Sequence, residues 1–128
     1  MTIPLQVTFQ DFPPSPAVEA RIREEVAKLE RYADWITRCR VVVSEPHRHR
    51  HKGRLFEVHI FMPLAGGGEV AVDRGNPEDG AHEDVYVAIR DAFQAAARQL
   101  RVHIRKKRDH AARQRREIVA ESEGITVP

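Results

Sequence analysis

Residues His82–Arg108, HEDVYVAIRDAFQAAARQLRVHIRKKR, decide the fold. Val85, Ile89, Ala92, Phe93, Ala96, Leu100 and Ile104 recur at spacings of three and four, the signature of one long helix with an apolar stripe. With about 100° between successive residues, Arg90, Arg98, Arg101, Arg105 and Arg108 gather roughly opposite that stripe. One side of this helix calls for a protein core and the other for a polyanion. The pattern points to a small nucleic-acid-binding module and away from an enzyme.

Charge supports this segregation. The whole chain of 128 residues has a formal net charge of only +2. Residues 98–116, however, hold nine bases against one acid, Asp109, so that segment is +8 and −6 is left for the remainder. A solvated helix face usually mixes both signs and pairs them along the helix. Here acids are nearly missing, which is the electrostatic footprint of RNA or DNA contact. The length suits one domain with a single core. Cys39 is the only cysteine, which excludes an intramolecular disulfide and a multi-cysteine zinc site. The opening MTIPLQVTFQDF lacks the basic and apolar regions of a signal peptide. No apolar run approaches the roughly 20 residues of a membrane span. A reducing, cytoplasmic setting is expected.

Outward from the long helix, residues 3–9 alternate Ile3, Leu5, Val7 and Phe9 with Pro4, Gln6 and Thr8, a half-buried strand. After the turn QDFPPS, Ser15 and Pro16 open a helix as N-cap hydroxyl and first-turn proline. Val18, Ile22, Val26 and Leu29 form its core-facing stripe, and it should end near Tyr32–Asp34. Residues 37–44, TRCRVVVS, predict a second strand with Cys39, Val41 and Val43 on one side and Arg38, Arg40 and Val42 on the other. The third strand, RLFEVHIFMPL, turns Phe56, Val58, Ile60 and Met62 one way and Leu55, Glu57, His59 and Phe61 the other. Gly66–Gly68 make a hairpin turn into a fourth strand, Glu69–Asp73, with Val70 and Val72 inward. Glu83 and Asp84 suit the positive end of the second helix. Beyond Arg108 the sequence stays helix-compatible to about Val119, and ESEGITVP reads as a loose tail.

The order βαβββα predicts an α+β two-layer sandwich, a four-stranded sheet with two helices on one face. The opposite face, with Thr8, Arg38, Arg40, Glu57 and His59, should be open to water. The expected organisation is a folded domain over residues 1–108 and a basic helical extension with a flexible tail over 109–128.

At three places in this order the chain resembles the bacterial ribosome-hibernation family of ribosome-associated translation inhibitors and hibernation-promoting factors. These are Lys28-Leu29-Glu30-Arg31-Tyr32 ending the first helix, Asp84-Val85-Tyr86-Val87-Ala88-Ile89 opening the second, and Ala97-Arg98-Gln99-Leu100 along it. The resemblance covers residues 3–108. It implies a fold like a double-stranded-RNA-binding domain and binding to 16S rRNA of the small ribosomal subunit. Such a factor occupies the channel of mRNA and tRNA, inhibits translation under stress, and needs neither catalysis nor a cofactor, small-molecule substrate or membrane. The family's basic helix positions correspond to Lys28, Arg98 and the bases after Leu100. The expected rRNA-binding set is therefore Lys28, Arg90, Arg98, Arg101, Arg105, Lys106, Lys107 and Arg108. The chain departs from the family in having Ala95 and Ala96 where a base is common, and Val102 and Ile104 interrupt the basic run. A related branch with a His/Arg-rich loop carries a cold-shock-like domain afterwards, and the segment from Ala111 resembles the start of a linker to one.

Other residues admit rival readings. His47, His49 and His51 would share a strand face about 6–7 Å apart, which suits a transition metal. Interleaved Arg48, Arg50, Lys52 and Arg54 repel a cation, so a basic RNA-touching finger or a solvated loop fits better, and no metal site is assigned. Trp35 either stacks on a base or caps the core edge. Tyr32 and Tyr86 read as packing residues. Glu57 and His59 have no nucleophile or oxyanion site beside them, so they do not suggest acid–base catalysis. Cys39 reads as a small buried hydrophobe. The rival function classes are a protein-interaction or dimerisation module, using the open sheet face with Leu55 and Phe61, and a metal-binding protein built on the histidine loop.

Overall fold

The computed structural model describes residues 3–45, 56–74 and 84–125. The elements are β1 (Leu5–Gln10), α1 (Pro16–Ala27), a 3-10 turn (Glu30–Tyr32), β2 (Cys39–Ser44), β3 (Glu57–Pro63), β4 (Glu69–Arg74) and α2 (Val85–Ile125). The histidine loop with Arg48, Arg50 and Lys52, together with Leu55 and Glu83, lies outside the described residues.

The strands form one sheet in the order β1-β2-β3-β4. β1 runs parallel to β2 because α1 carries the chain back across the sheet. The remaining two pairs are antiparallel. The register aligns Val7 with Val41, Val41 with Ile60, and Ile60 with Val72, so one face is apolar across all four strands. Both helices cover that face, and the expected two-layer α+β sandwich is the fold.

Helix starts follow local chemistry. The Ser15 hydroxyl accepts the Val18 N–H at 3.3 Å with Pro16 in the first turn. Asp84 Oδ1 accepts the Tyr86 N–H at 2.8 Å, which satisfies an orphan donor at the start of α2. Between β3 and β4, Gly66, Gly67 and Gly68 have φ of 82°, 107° and 86°. Three successive residues in that region exclude side chains bearing Cβ, so the turn depends on glycine.

β1, β3 and β4 differ from the sequence expectation by one to three residues at their ends, and three further boundaries also differ. α1 stops at Ala27 instead of near Tyr32–Asp34. The chain then tightens into three-residue turns, with Leu29 N–H donating to Val26 O, Tyr32 to Leu29 O and Trp35 to Tyr32 O. Leu29 and Ile36, at the two ends of this tightened stretch, are both buried. β2 starts at Cys39, not Thr37, because Ile36 makes only an isolated bridge to Leu64. α2 runs through Ile125, where a loose tail was expected from Glu121. The Ala, Arg, Gln and Glu content of the arm favours helix without tertiary support.

The core is continuous. Ile22, Val41, Val43, Val58, Met62, Val70, Ile89, Ala92, Ala96 and Leu100 have no accessible surface, and Cys39 is 2% exposed. Of the seven apolar positions expected on α2, six are buried, and Val85 packs at the margin. Phe9 and Phe56 meet Phe12 edge-on at 5.3 and 5.7 Å, closing one end of the core.

Leu100→Ala should destabilise the fold by roughly 2–5 kcal/mol. Val102→Ala, at a position 45% exposed, should stay within about 0.5 kcal/mol in the same urea titration. Burial pushes the Cys39 thiol up to about 12, because the charged thiolate is disfavoured there. A thiol raised in the folded state stabilises it fully below the unfolded value near 9, and that contribution is lost as pH rises through about 12. Native protein at pH 8 should therefore resist a thiol reagent that labels the urea-unfolded chain.

Candidate nucleic-acid interface

Packing of Ile89, Phe93, Ala96, Leu100 and Ile104 fixes the rotation of α2 about its axis. Arg90, Arg98, Arg101, Arg105 and Arg108 then fall within about 80° of one another around the helix and span about 27 Å along it. All five are exposed. Among the described residues no acid pairs with Arg98, Arg101, Arg105, Lys106 or Arg108, whereas Arg90 lies 3.3 Å from Asp91 Oδ1. From Arg108 through Val119 every residue is exposed, so the helix leaves the sandwich as a projecting arm. Arg115 and Arg116 continue the same stripe on it.

α1 adds a second basic wall. Between the helices lies a groove of about 330 Å³ lined by Arg21, Lys28, Arg31 and Arg90, with Leu29, Phe93 and Ala97 forming its apolar floor. Glu25 also lines it. Its side chain is 8% exposed and sits 2.9 Å from Lys28 Nζ and 3.5 Å from Arg21 Nε. One carboxylate thus organises two cations on successive turns. It does not satisfy both, because the buried Arg21 Nε makes no hydrogen bond. The Arg31 guanidinium lies 4.9 Å from the Tyr32 ring, an arrangement that holds the charge at the groove rim.

The expected residues do not all meet here. Lys28, Arg90, Arg98, Arg101, Arg105 and Arg108 share the helical face. Lys106 is exposed about 120° round from the centre of the stripe. Lys107 points the other way: its ammonium donates to the Ala65 carbonyl and lies 5.2 Å from the Trp35 ring centroid. Trp35 is half-buried against the core, so it packs in the way a core-edge residue does. Arg21 and Arg31 belong to the groove but were not among the expected site residues. Arg21 was hidden by Glu25, four residues on, which makes the pair look like ordinary helix-surface chemistry.

Polar contacts also pin α2 to the sheet. Gln99 Oε1 accepts the Ala71 N–H at 3.1 Å, and Gln99 Nε2 donates to the Ala71 carbonyl at 2.9 Å. The side-chain amide thereby stands in for a fifth strand at the β4 edge. Among the described residues no cluster of three His, Cys, Asp or Glu is placed to hold a metal ion, and no helix is long and apolar enough to cross a membrane.

A family model described as Sigma 54 modulation protein / S30EA ribosomal protein matches residues 5–108. The chain belongs to this family. The matched stretch begins with β1 and ends at Arg108, where α2 leaves the sandwich. The family domain therefore comprises both helices, the groove and the Arg90–Arg108 stripe, while the projecting arm lies beyond the match. Among solved structures, the fold is similar to a ribosomal subunit interface protein from Coxiella burnetii, at a TM-score of 0.63 and 15% identity, over 79% of this chain and 97% of that one. It is also similar to the N-terminal domain of Protein Y from Thermus thermophilus, at a TM-score of 0.57 and 23% identity, over 78% and 96% of the two chains. Among curated proteins, none matches closely enough to count as a relative.

Glu25→Gln should increase retention on a heparin column, because it removes the one carboxylate lining the groove. Stability should fall modestly, because the ammonium of Lys28, 69% exposed, can return to water while the buried Arg21 Nε loses the carboxylate beside it.

Proposed function

We propose that this protein is a cytoplasmic ribosome-hibernation factor that binds 16S rRNA of the small subunit and inhibits translation by filling the path of mRNA and tRNA. The observation that carries this reading is the continuous basic face formed by the α1–α2 groove and the α2 stripe, in a chain of the Sigma 54 modulation protein / S30EA ribosomal protein family. The printed description of the Coxiella burnetii neighbour, a ribosomal subunit interface protein, agrees with it.

Inhibition of this kind needs no bond to be made or broken. A rigid sandwich presents arginines whose guanidiniums suit bidentate contact with phosphate oxygens. Binding neutralises phosphates, releases condensed counterions, and leaves the occupied channel sterically closed. Lys28, Arg90, Arg98, Arg101, Arg105 and Arg108 act as the principal phosphate contacts, with Arg21 and Arg31 joining them at the groove. Lys106 serves a neighbouring strand of RNA. Lys107 contributes by holding α2 against the β3–β4 hairpin.

The test is co-sedimentation with separated small and large ribosomal subunits over a salt series. Binding should be confined to the small subunit, with log K falling against log salt at a slope of roughly −4 to −6 for six to eight contacts. The triple variant Arg98→Glu, Arg101→Glu, Arg105→Glu should keep its circular dichroism and melting temperature, because all three side chains are exposed. It should no longer pellet with the small subunit. Retained binding by the folded triple variant would refute the assignment of this face.

A further inference from the structure

The sheet layer facing away from the helices carries cations that the helical face does not account for. Gln6 pairs with Arg40, Arg40 with Phe61, and Phe61 with Ala71, a row that crosses all four strands. Side chains alternate along a strand, so this row points away from the core formed by Val7, Val41, Ile60 and Val72. Arg38 stands two residues before Arg40 and is likewise exposed. Arg38, Arg40, Gln6 and Phe61, with Pro4 and Leu5, line an open hollow of about 310 Å³.

Three features of the hollow point to one kind of occupant. Among the described residues neither Arg38 nor Arg40 has an acidic partner. Two acids of this layer engage His59 instead, with Asp73 Oδ1 at 2.9 Å from Nδ1 and Glu57 Oε2 at 3.6 Å from Nε2. Phe61 is an aromatic ring on the solvent side of a sheet, and its neighbour on β4 is only an alanine. Gln6 supplies an amide that can both donate and accept. Two unpaired guanidiniums, a ring and an amide match the phosphate, the π-face and the polar edge of a nucleotide. An acidic peptide would use the guanidiniums and leave the ring without a role.

We propose that this hollow binds an unpaired nucleotide of single-stranded RNA, with the base stacked on Phe61 and the flanking phosphates on Arg38 and Arg40. The site lies in the opposite layer from the α1–α2 groove and does not depend on the ribosomal reading of that groove. A protein with both sites holds RNA on its two broad faces.

The experiment is a titration of the isotopically labelled full chain with a ten-nucleotide uridine RNA at low salt, followed by amide chemical shifts and fluorescence anisotropy. The Arg98→Glu, Arg101→Glu, Arg105→Glu variant is titrated in parallel, so that binding at the helical face is removed. In both proteins the amides around Gln6, Arg40 and Phe61 should shift. Phe61→Leu should weaken binding by roughly 5- to 150-fold, the range of one aromatic–base stack, while Phe61→Trp should preserve it. Arg38→Ala with Arg40→Ala should make the salt slope shallower by about 1.4. The proposal is overturned if the sheet amides stay unmoved at saturating RNA in the triple variant, or if Phe61→Leu binds like the parent. Equal affinity for uridine monophosphate would overturn the single-strand assignment in favour of a free nucleotide. Equal affinity for a glutamate decamer would reduce the site to charge alone.

Discussion

Everything on the helical side of this molecule depends on how α2 is rotated about its axis. Ile89, Phe93, Ala96, Leu100 and Ile104 key into the apolar face of β3 and β4 and make other rotations costly, because each would expose large side chains to water. Two polar contacts then act at intervals along the helix. Gln99 binds both backbone groups of Ala71, and Lys107 reaches the carbonyl of Ala65 beside Trp35. With the rotation set, the arginine stripe has one available direction. The basic face is thus a consequence of core packing.

The same packing keeps the two edges of the sheet different. At β4 the Gln99 amide occupies the hydrogen-bonding groups of Ala71. β1 is the opposite outer strand and pairs on one side only, with β2. The molecule is also polarised in charge. Among the described residues Arg98, Arg101, Arg105 and Arg108 of α2 have no acid paired with them, while in the sheet layer the acids Glu57 and Asp73 gather round His59, away from Arg38 and Arg40. This distribution suits a protein that works by adhesion to a polyanion. From Arg108 through Val119 every residue of the α2 arm is exposed.

Much of this was legible in the amino-acid order. Period-two and period-three-to-four patterns located the strands and helices, because residues destined for one core face must recur at the element's own period. Ser15–Pro16 marked the start of α1 as N-cap hydroxyl and first-turn proline, and Asp84 marked the start of α2 by its charge at the positive end of the helix dipole. The contiguous apolar face of α2 came directly from spacing, and so did the stripe from Arg90 to Arg108. The end of α1 was not legible, since KLERYADW contains neither glycine nor proline. Leu29 and Ile36 stand seven residues apart, a spacing that an unbroken helix would also place on one face, so periodicity gave no sign of the break. The contacts of Lys107 were not legible either. By sequence it is one more base in a basic run, yet about 100° per residue carries it round to the apolar side of the helix, where Trp35 and the hairpin carbonyl hold it.

The sequence by itself determined the element order, the two faces of each element and the concentration of positive charge in the last helix. These properties are local, because they follow from side-chain type and backbone period. Only the tertiary structure decided which cations stand together. Arg21 and Arg31 reach the α2 stripe because α1 packs beside α2, and Arg40 meets Phe61 because β2 pairs with β3 in one register. Such neighbours are far apart in the chain. What brings them together is burial of the shared apolar face, and no local pattern encodes the distances between them.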